Sequence, residues 1–351
     1  MKAVLYLLTI LTLAAGLYAQ SGRVKPAETP MPRPKMEPTI IYVPTQAASK
    51  TASPRATPTP DSEDEVVKVA SALVPIPVSV LDTGGRSVTS LRLSDFELRI
   101  DGQLVEISDL ARSETPIRLA MLFDNSSSVI VAREFEKDAA IKFFRRVIRP
   151  EKDLAALFSV ATTTELEQSF TSEISSLTRA IELFPRPEGA TALLEGIIQA
   201  SEYLREVQGR RVMIIVSDGD DTKSDVTFDE TVRALQIANC QVYIVKTTDF
   251  ENFKRTGSRR GNANIRQLAA ERRMSEIAGQ TGGAVYSPID ERELDDAFRQ
   301  ISAELSQQYI LSYYPENDAE KRGEFRELQL ALKNRTGHSL RTRKGYYVPK
   351  R

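Results

Sequence analysis

Three side chains that could bind a hard metal ion stand at alternate positions directly after an apolar run. The run covers residues 117–123, and Asp124, Ser126 and Ser128 follow it. A short β-strand that ends in a carboxylate and two hydroxyls directs three oxygens to one point, and hard divalent cations such as Mg²⁺ prefer oxygen ligands. The same residue types also cap helices, because Asp and Ser accept hydrogen bonds from the free N–H groups of a helix start. The segment therefore predicts either a metal-binding loop or a capped helix.

Strand-like and helix-like patterns alternate around this segment, from Ile117 to Gln308. The apolar runs predict strands at 117–123, 154–160, 165–170, 211–217, 241–247 and 284–287. Apolar residues spaced by three or four predict amphipathic helices at 135–147, 193–204 and 294–305. Buried strands that alternate with helices predict a doubly wound, mostly parallel α/β sheet. Ligands of such sheets bind at the carboxyl ends of the strands, where Asp124 lies.

The segments on either side of this α/β region predict short β-strands. In residues 66–115, Phe96 to Ile100 alternate between apolar and polar types, and the hairpin dipeptide Asp101-Gly102 follows. In residues 309–351, Phe325 to Leu332 alternate in the same way. We expect this C-terminal extension to return and pack on the N-terminal segment, so that both flanks form one small β module beside a domain at 116–308.

The first 65 residues predict targeting and a linker rather than a fold. Lys2, an apolar stretch and the small residue Ala19 are typical of a secretory signal peptide at 1–19, with an uncleaved membrane anchor as the alternative. Residues 20–65 are rich in Pro, Thr and Ser, which predicts a disordered, extended tether. We therefore expect an exported protein that is periplasmic or secreted.

Composition argues against several classes of function. The chain has 351 residues, a net charge of −1, one His and one Cys. A single Cys cannot form an internal disulfide, and Cys240 is predicted to be a buried apolar residue. Basic stretches at 254–273 and 335–344 predict solvated surface, or contact with an anionic envelope surface in preference to nucleic acid.

Enzyme chemistry has little support in the sequence. The only histidine, His338, lies in the C-terminal extension, and the chain has neither a G-x-S-x-G nucleophile motif nor a phosphate-binding P-loop. We expect no enzyme and no small-molecule substrate, with a metal-assisted hydrolase as the remaining alternative.

Two further patterns give the metal hypothesis its support. Thr191 follows Gly189-Ala190 at the start of a predicted helix, and Asp218-Gly219 follows the apolar strand at 211–217. Alone, the first is an ordinary residue of a helix's first turn and the second is a turn signal. Together with the D-x-S-x-S pattern, and in this order, they resemble the three loops of the metal-ion-dependent adhesion site of von Willebrand factor A domains. This chain has one extra residue between Gly189 and Thr191.

The resemblance implies that five side chains surround one divalent cation, Mg²⁺ or Mn²⁺. They are Asp124, Ser126, Ser128, Thr191 and Asp218. Neutral hydroxyl ligands keep such a metal electrophilic, so an open position can accept a carboxylate from a partner. Asp220 and Asp221 would make the rim of the site acidic.

A softer resemblance places the chain among bacterial exported proteins with von Willebrand factor A-related domains. It rests on the order of turns and strands between residues 82 and 102. It implies a protein that binds a partner presenting an acidic residue, or an envelope surface. The alternative is a structural envelope or assembly module whose metal site only stabilises the fold.

Overall fold

A computed structural model of the chain describes residues 73–112, 114–130, 132–258, 264–316, 320–333 and 337–350. The predicted signal peptide and linker, at 1–65, lie outside these residues. The strands are β1 (Val74–Leu81), β2 (Phe96–Ile100), β3 (Gln103–Val105), β4 (Asp109–Arg112), β5 (Ile117–Asp124), β6 (Leu154–Val160), β7 (Thr164–Thr171), β8 (Arg210–Ser217), β9 (Gln241–Lys246), β10 (Ala284–Tyr286), β11 (Tyr309–Tyr313), β12 (Phe325–Leu332), β13 (Ser339–Arg341) and β14 (Gly345–Tyr347). The helices are α1 (Arg133–Val147), α2 (Ile174–Glu182), α3 (Leu193–Arg205), α4 (Phe228–Ala238), α5 (Thr248–Thr256), α6 (Ile265–Thr281) and α7 (Glu291–Gln307).

A six-stranded sheet with the order β10-β9-β8-β5-β6-β7 forms the centre of the α/β region. All neighbouring strands in it are parallel except β7, which pairs with β6 in the antiparallel direction. The central strand β5 is almost wholly buried, as expected for a parallel strand covered on both faces. The predicted doubly wound, mostly parallel sheet is confirmed.

Apolar side chains fill both faces of this sheet. On one face, α1 and α7 pack together through Phe143 and Phe298, whose ring centroids lie 5.3 Å apart. On the other face, α3, α4 and α6 contribute buried residues such as Ile197, Leu235 and Ile277. The two layers fix the orientation of β5 and β8, and therefore the positions of the loops that follow them.

The α6 helix borders those loops and has well-defined ends. At its start the side chain of Asn264 accepts a hydrogen bond from the backbone N–H of Gln267, and the side chain of Gln267 accepts one from the N–H of Asn264. Such reciprocal capping satisfies N–H groups that the helix itself leaves free. At its end Gly282 adopts a φ of +80°, the left-handed conformation that commonly terminates helices.

The flanking segments form two four-stranded sheets, with the orders β13-β1-β11-β4 and β14-β12-β2-β3. Each sheet joins strands from both ends of the described chain, because β1 pairs with β11 and β2 pairs with β12. Their buried faces share one apolar cluster, which includes Ile76, Leu98, Leu311 and Leu328. The prediction that both flanks build a β module is confirmed.

The basic C-terminal stretch differs from the prediction of solvated surface. Arg341 donates a 2.8 Å hydrogen bond to Glu304 of α7, and Arg343 contacts the side chain of Asn239 and donates to the carbonyl of Pro75 at 3.0 Å. Burial lowers the pKa of Arg343 to about 10. These arginines connect the extension to the α/β region, so the surface interpretation is wrong for both. Arg335 lies outside the described residues.

The single cysteine, Cys240, is 3% exposed, as predicted, and burial raises the pKa of its thiol to about 12. Over the described ranges, the structure contains no helix with the length and apolar character needed to cross a membrane.

Candidate metal centre

The first loop of the candidate site begins where β5 ends, at Asp124. Its carboxylate is buried, with 1% of the residue exposed. One oxygen, Oδ1, accepts a 2.9 Å hydrogen bond from the N–H of Ser126, and Oδ2 accepts a 2.6 Å hydrogen bond from the hydroxyl of Ser217. A short 3₁₀ turn at Ser127–Val129 then leads to α1. Ser128 is described by its backbone alone, which lies within that turn.

The third loop begins at the end of β8, the strand next to β5. Ser217 is the last residue of this strand, and its hydroxyl also accepts a 2.9 Å hydrogen bond from the N–H of Gly219. The carboxylate of Asp218 accepts a 3.0 Å hydrogen bond from the N–H of Asp220. Ser217 therefore joins the first loop to the third, a role that the sequence pattern did not indicate.

Gly219 is required for the shape of this third loop. It adopts a φ of +79°, which L-residues with a side chain rarely adopt. A Cβ atom at this position would also lie 3.0 Å from the side chain of Met274 in α6. The loop can therefore pass close to α6 only with glycine at 219.

The second loop carries Thr191 and is held by the other two loops. The N–H of Thr191 donates to the hydroxyl of Thr222 at 3.1 Å, and its carbonyl accepts from the N–H groups of Thr222 and Lys223 at 2.9 and 3.0 Å. On its other side, the N–H of Glu188 donates a 2.8 Å hydrogen bond to the carbonyl of Asn125. The structure thus brings together the three loops that carry the predicted ligands, at one edge of the central sheet.

The electrostatics of this edge suit a cation. Burial, and after it the nearby charge of Asp218, raise the pKa of Asp124 from 3.8 to about 6. Among the described residues, no group of three or more His, Cys, Asp or Glu side chains could hold a metal ion. The predicted ligands are two carboxylates and three hydroxyls, a set of oxygen donors that would fit a hard divalent cation without over-neutralising its charge.

The two carboxylates expected to make the rim acidic both have partners in the protein. Asp220 forms an ion pair with Arg266 of α6 at 3.0 Å. Asp221 accepts hydrogen bonds from the N–H of Leu193 at 3.0 Å and from the hydroxyl of Ser224 at 2.8 Å. The carboxylate of Asp220 is thus paired with a cation. The carboxylate of Asp221 caps the start of α3, whose N-cap residue, Ala192, has no side-chain acceptor.

Replacing Asp221 with Ala should therefore loosen the Thr191 loop. We expect a loss of about 1–2 kcal/mol in the free energy of unfolding, since the helix loses its cap and the half-buried N–H of Leu193 loses its acceptor. Urea unfolding followed by circular dichroism measures this loss. Asp225→Ala, at an exposed position in the same loop, is the matched control and should change stability by less than about 0.5 kcal/mol. Equal effects of the two substitutions would contradict the capping role.

Comparisons with known proteins agree with this architecture. The family model of the von Willebrand factor type A domain matches residues 119–300, just over half of the chain, and the chain belongs to this family. None of the curated proteins matches the chain.

Several solved structures are similar to part of this chain. The PilB minor pilin from Streptococcus sanguinis is 11% identical with a TM-score of 0.43, and the match covers 57% of this chain and 63% of the pilin. The conserved hypothetical protein BatB from Bacteroides thetaiotaomicron is 14% identical with a TM-score of 0.40, covering 53% of this chain and 97% of BatB. The pilus adhesin SpaC from Lactobacillus rhamnosus GG, in its open conformation, is 10% identical with a TM-score of 0.43, covering 72% of this chain and 47% of SpaC. These likenesses concern the fold alone.

Proposed function

We propose that this protein binds a partner protein through a divalent cation held at the C-terminal edge of its central sheet. The observation that supports this most directly is the hydrogen bond from Ser217 to Asp124, which joins two carboxylate-bearing loops at the ends of adjacent parallel strands. The loop of Thr191 is docked against both of them. The proposed ligands are Asp124, Ser126, Ser128, Thr191 and Asp218, and the proposed metal is Mg²⁺ or Mn²⁺.

The donor set suggests what such a metal would do. Two carboxylates match the charge of a dication without exceeding it, and hydroxyl ligands add no charge. A bound Mg²⁺ would supply an electrophilic position to which a partner's carboxylate can bind. The protein's own residues fix the loops and exclude water from Asp124. We accordingly propose that the partner presents an acidic side chain, and that the protein recognises this partner without catalysing a reaction.

The compartment follows from the N-terminal segment. We propose that the protein is exported and that the partner belongs to the cell envelope or to the exterior. An envelope protein that exposes acidic residues fits this proposal better than a nucleic acid, because an exported protein meets envelope surfaces.

Titration of the full chain with Mg²⁺ by isothermal calorimetry tests the metal site. The wild-type protein should bind Mg²⁺, and Asp218→Asn should weaken binding by at least about tenfold. Asp229→Asn, which removes an exposed carboxylate from α4, is the control and should bind as the wild type does. Unchanged Mg²⁺ affinity in Asp218→Asn would refute the proposed site.

Capture from an envelope extract, in Mg²⁺ or in EDTA, tests the binding function. We expect a partner that is retained in Mg²⁺ and lost in EDTA, and that Asp124→Ala fails to retain. Equal capture under both conditions would refute metal-dependent recognition. Thermal stabilisation by Mg²⁺ with no metal-dependent partner would instead indicate a structural module.

A further inference from the structure

Arg133 is a buried cation directly behind the first loop of the site. It is the first residue of α1 and is only 5% exposed, which is unusual because arginine is rarely buried unless it is paired. Neither the metal-site motif nor the family resemblance assigns it a role.

The guanidinium of Arg133 holds the loop at two points. One nitrogen donates a 3.1 Å hydrogen bond to the backbone carbonyl of Asp124, and another donates a 2.5 Å hydrogen bond to the side-chain oxygen of Asn125. The group also lies over the ring of Phe184, 4.6 Å from its centroid, and 5.6 Å from that of Phe123. Arginine suits this position because its planar fork makes two directed hydrogen bonds while its face packs on an aromatic ring.

The charge of Arg133 acts against a nearby cation. Burial lowers the pKa of Arg133, but the guanidinium stays protonated at neutral pH. Both hydrogen bonds go to uncharged oxygens. The acid with the largest electrostatic effect on Arg133 is Glu136, whose carboxylate is fully buried and has no hydrogen-bond partner within the described parts of the chain. The guanidinium would repel a bound cation and also interacts with the charge of Asp124. Its two directed hydrogen bonds to the loop are the contribution that a charge alone would not make.

We infer that Arg133 is a positioning residue of the metal centre, which fixes the carbonyl of Asp124 and the side chain of Asn125 so that the first loop presents its oxygens to the ion. The affinity part of this inference rests on the proposed metal site. The ordering of the loop does not, because the contacts join residues of the chain itself.

Two substitutions separate positioning from charge. Arg133→Lys keeps the positive charge and loses the fork, and Arg133→Met removes the charge and keeps much of the apolar packing. If Arg133 positions the loop, both variants should bind Mg²⁺ about 10- to 100-fold more weakly in calorimetry of the full chain. If Arg133 acted only through its charge, Arg133→Met should bind Mg²⁺ more tightly and Arg133→Lys should be unchanged. That result would overturn the inference.

Hydrogen–deuterium exchange in EDTA gives a second measurement that needs no metal. Backbone amides of residues 125–130 should exchange faster in Arg133→Lys, while those of the buried strand β8 stay protected. Arg146→Lys, an exposed position of the same helix, is the control and should leave the loop unchanged.

Calorimetry and hydrogen exchange together distinguish failure of the proposed metal site from failure of the positioning role of Arg133. Wild-type protein that takes up no Mg²⁺ refutes the proposed function, and faster loop exchange in Arg133→Lys then still supports the positioning role. If Arg133→Met fails to fold, Arg133→Lys decides alone. Normal Mg²⁺ affinity together with normal loop exchange in Arg133→Lys overturns the inference.

Discussion

Replacing Asp124 with Asn should stabilise the metal-free protein and abolish its response to Mg²⁺. Burial and the charge of Asp218 raise the pKa of Asp124 from 3.8 to about 6, so an ionised Asp124 destabilises the folded state at neutral pH when no cation is present. Removing that charge should raise the free energy of unfolding by about 1–3 kcal/mol, since one pKa unit corresponds to about 1.4 kcal/mol. Asparagine keeps an acceptor for the N–H of Ser126, and its amide can donate to the hydroxyl of Ser217.

The pH dependence of stability tests independently whether ionised Asp124 destabilises the folded protein. Because the folded-state pKa of Asp124 lies above its unfolded value, the stability of the wild-type protein in EDTA should decrease as pH rises from about 4 to about 6, relative to Asp124→Asn. Above about pH 6 the difference between the two proteins should be constant. Saturating Mg²⁺ should raise the melting temperature of the wild type and leave that of Asp124→Asn unchanged.

Asp153 is a matched control, because it is a second buried aspartate with the opposite expected sign. Although burial alone would raise its pKa, hydrogen bonds from the side chain of Arg149 and from the N–H groups of Ile117 and Arg149 hold the pKa below its usual value. Its contribution to stability is therefore present above about pH 4 and is lost as pH falls through the folded-state pKa. Asp153→Asn should lower the melting temperature in EDTA and preserve the response to Mg²⁺. If Asp124→Asn lowered metal-free stability as much as Asp153→Asn, the electrostatic description of the site would be wrong.

The strands of the central sheet were predictable because their sequences are continuous apolar runs. β6 begins and ends as predicted, at Leu154 and Val160, and β5 and β8 differ from their predicted ranges by one residue. Strands covered on both faces need apolar residues at every position, which gives a signal that does not depend on neighbouring elements.

The helices α2, α4, α5 and α6 were not predicted, and they show where local patterns fail. In α4, only Thr231, Leu235 and Ala238 are buried, so an apolar stripe is hardly visible along the sequence. Phe135, by contrast, was assigned to the apolar face of α1, but it is 39% exposed and packs against Phe250 of α5. Such positions depend on which helix lies beside them, and the sequence of a single helix does not contain that information.

In the candidate site, too, some residues could be predicted from local sequence patterns and others could not. The residues that we propose as metal ligands stand out in the sequence because their types and spacing follow strand ends. The residues that hold the loops could not, since Arg133, Asp221 and Ser217 contact partners that lie 8 and 9, 28, and 93 positions away in the chain, respectively. Arg341 and Arg343 were misread for the same reason, because their acceptors lie in distant elements.

Replacing Gly283 with Ala should strongly impair folding, because among the described glycines an added Cβ atom would come closest to other atoms here. Gly283 connects α6 to the edge strand β10, where the backbone passes against β9. A Cβ atom at this position would overlap the carbonyl oxygen of Val242 and lie 2.6 Å from its carbonyl carbon. Both are backbone atoms of a strand fixed on its other side by β8, so they cannot move aside as the end of a flexible side chain could.

We expect Gly283→Ala to lower the free energy of unfolding by at least about 3–4 kcal/mol, or to prevent folding, because overpacking here displaces a buried strand rather than a side chain. Gly279→Ala is the matched control four residues earlier. Gly279 is exposed within α6, and a Cβ atom there would have nothing within 4 Å. Alanine favours a helix over glycine by about 1 kcal/mol, so this control should unfold at a higher urea concentration than the wild type. Far-UV circular dichroism follows both transitions without tryptophan, which the chain lacks. A Gly283→Ala protein that unfolds at the wild-type midpoint would show that β9 and β10 can separate locally, and that the edge of the sheet is less tightly fixed than its backbone contacts require.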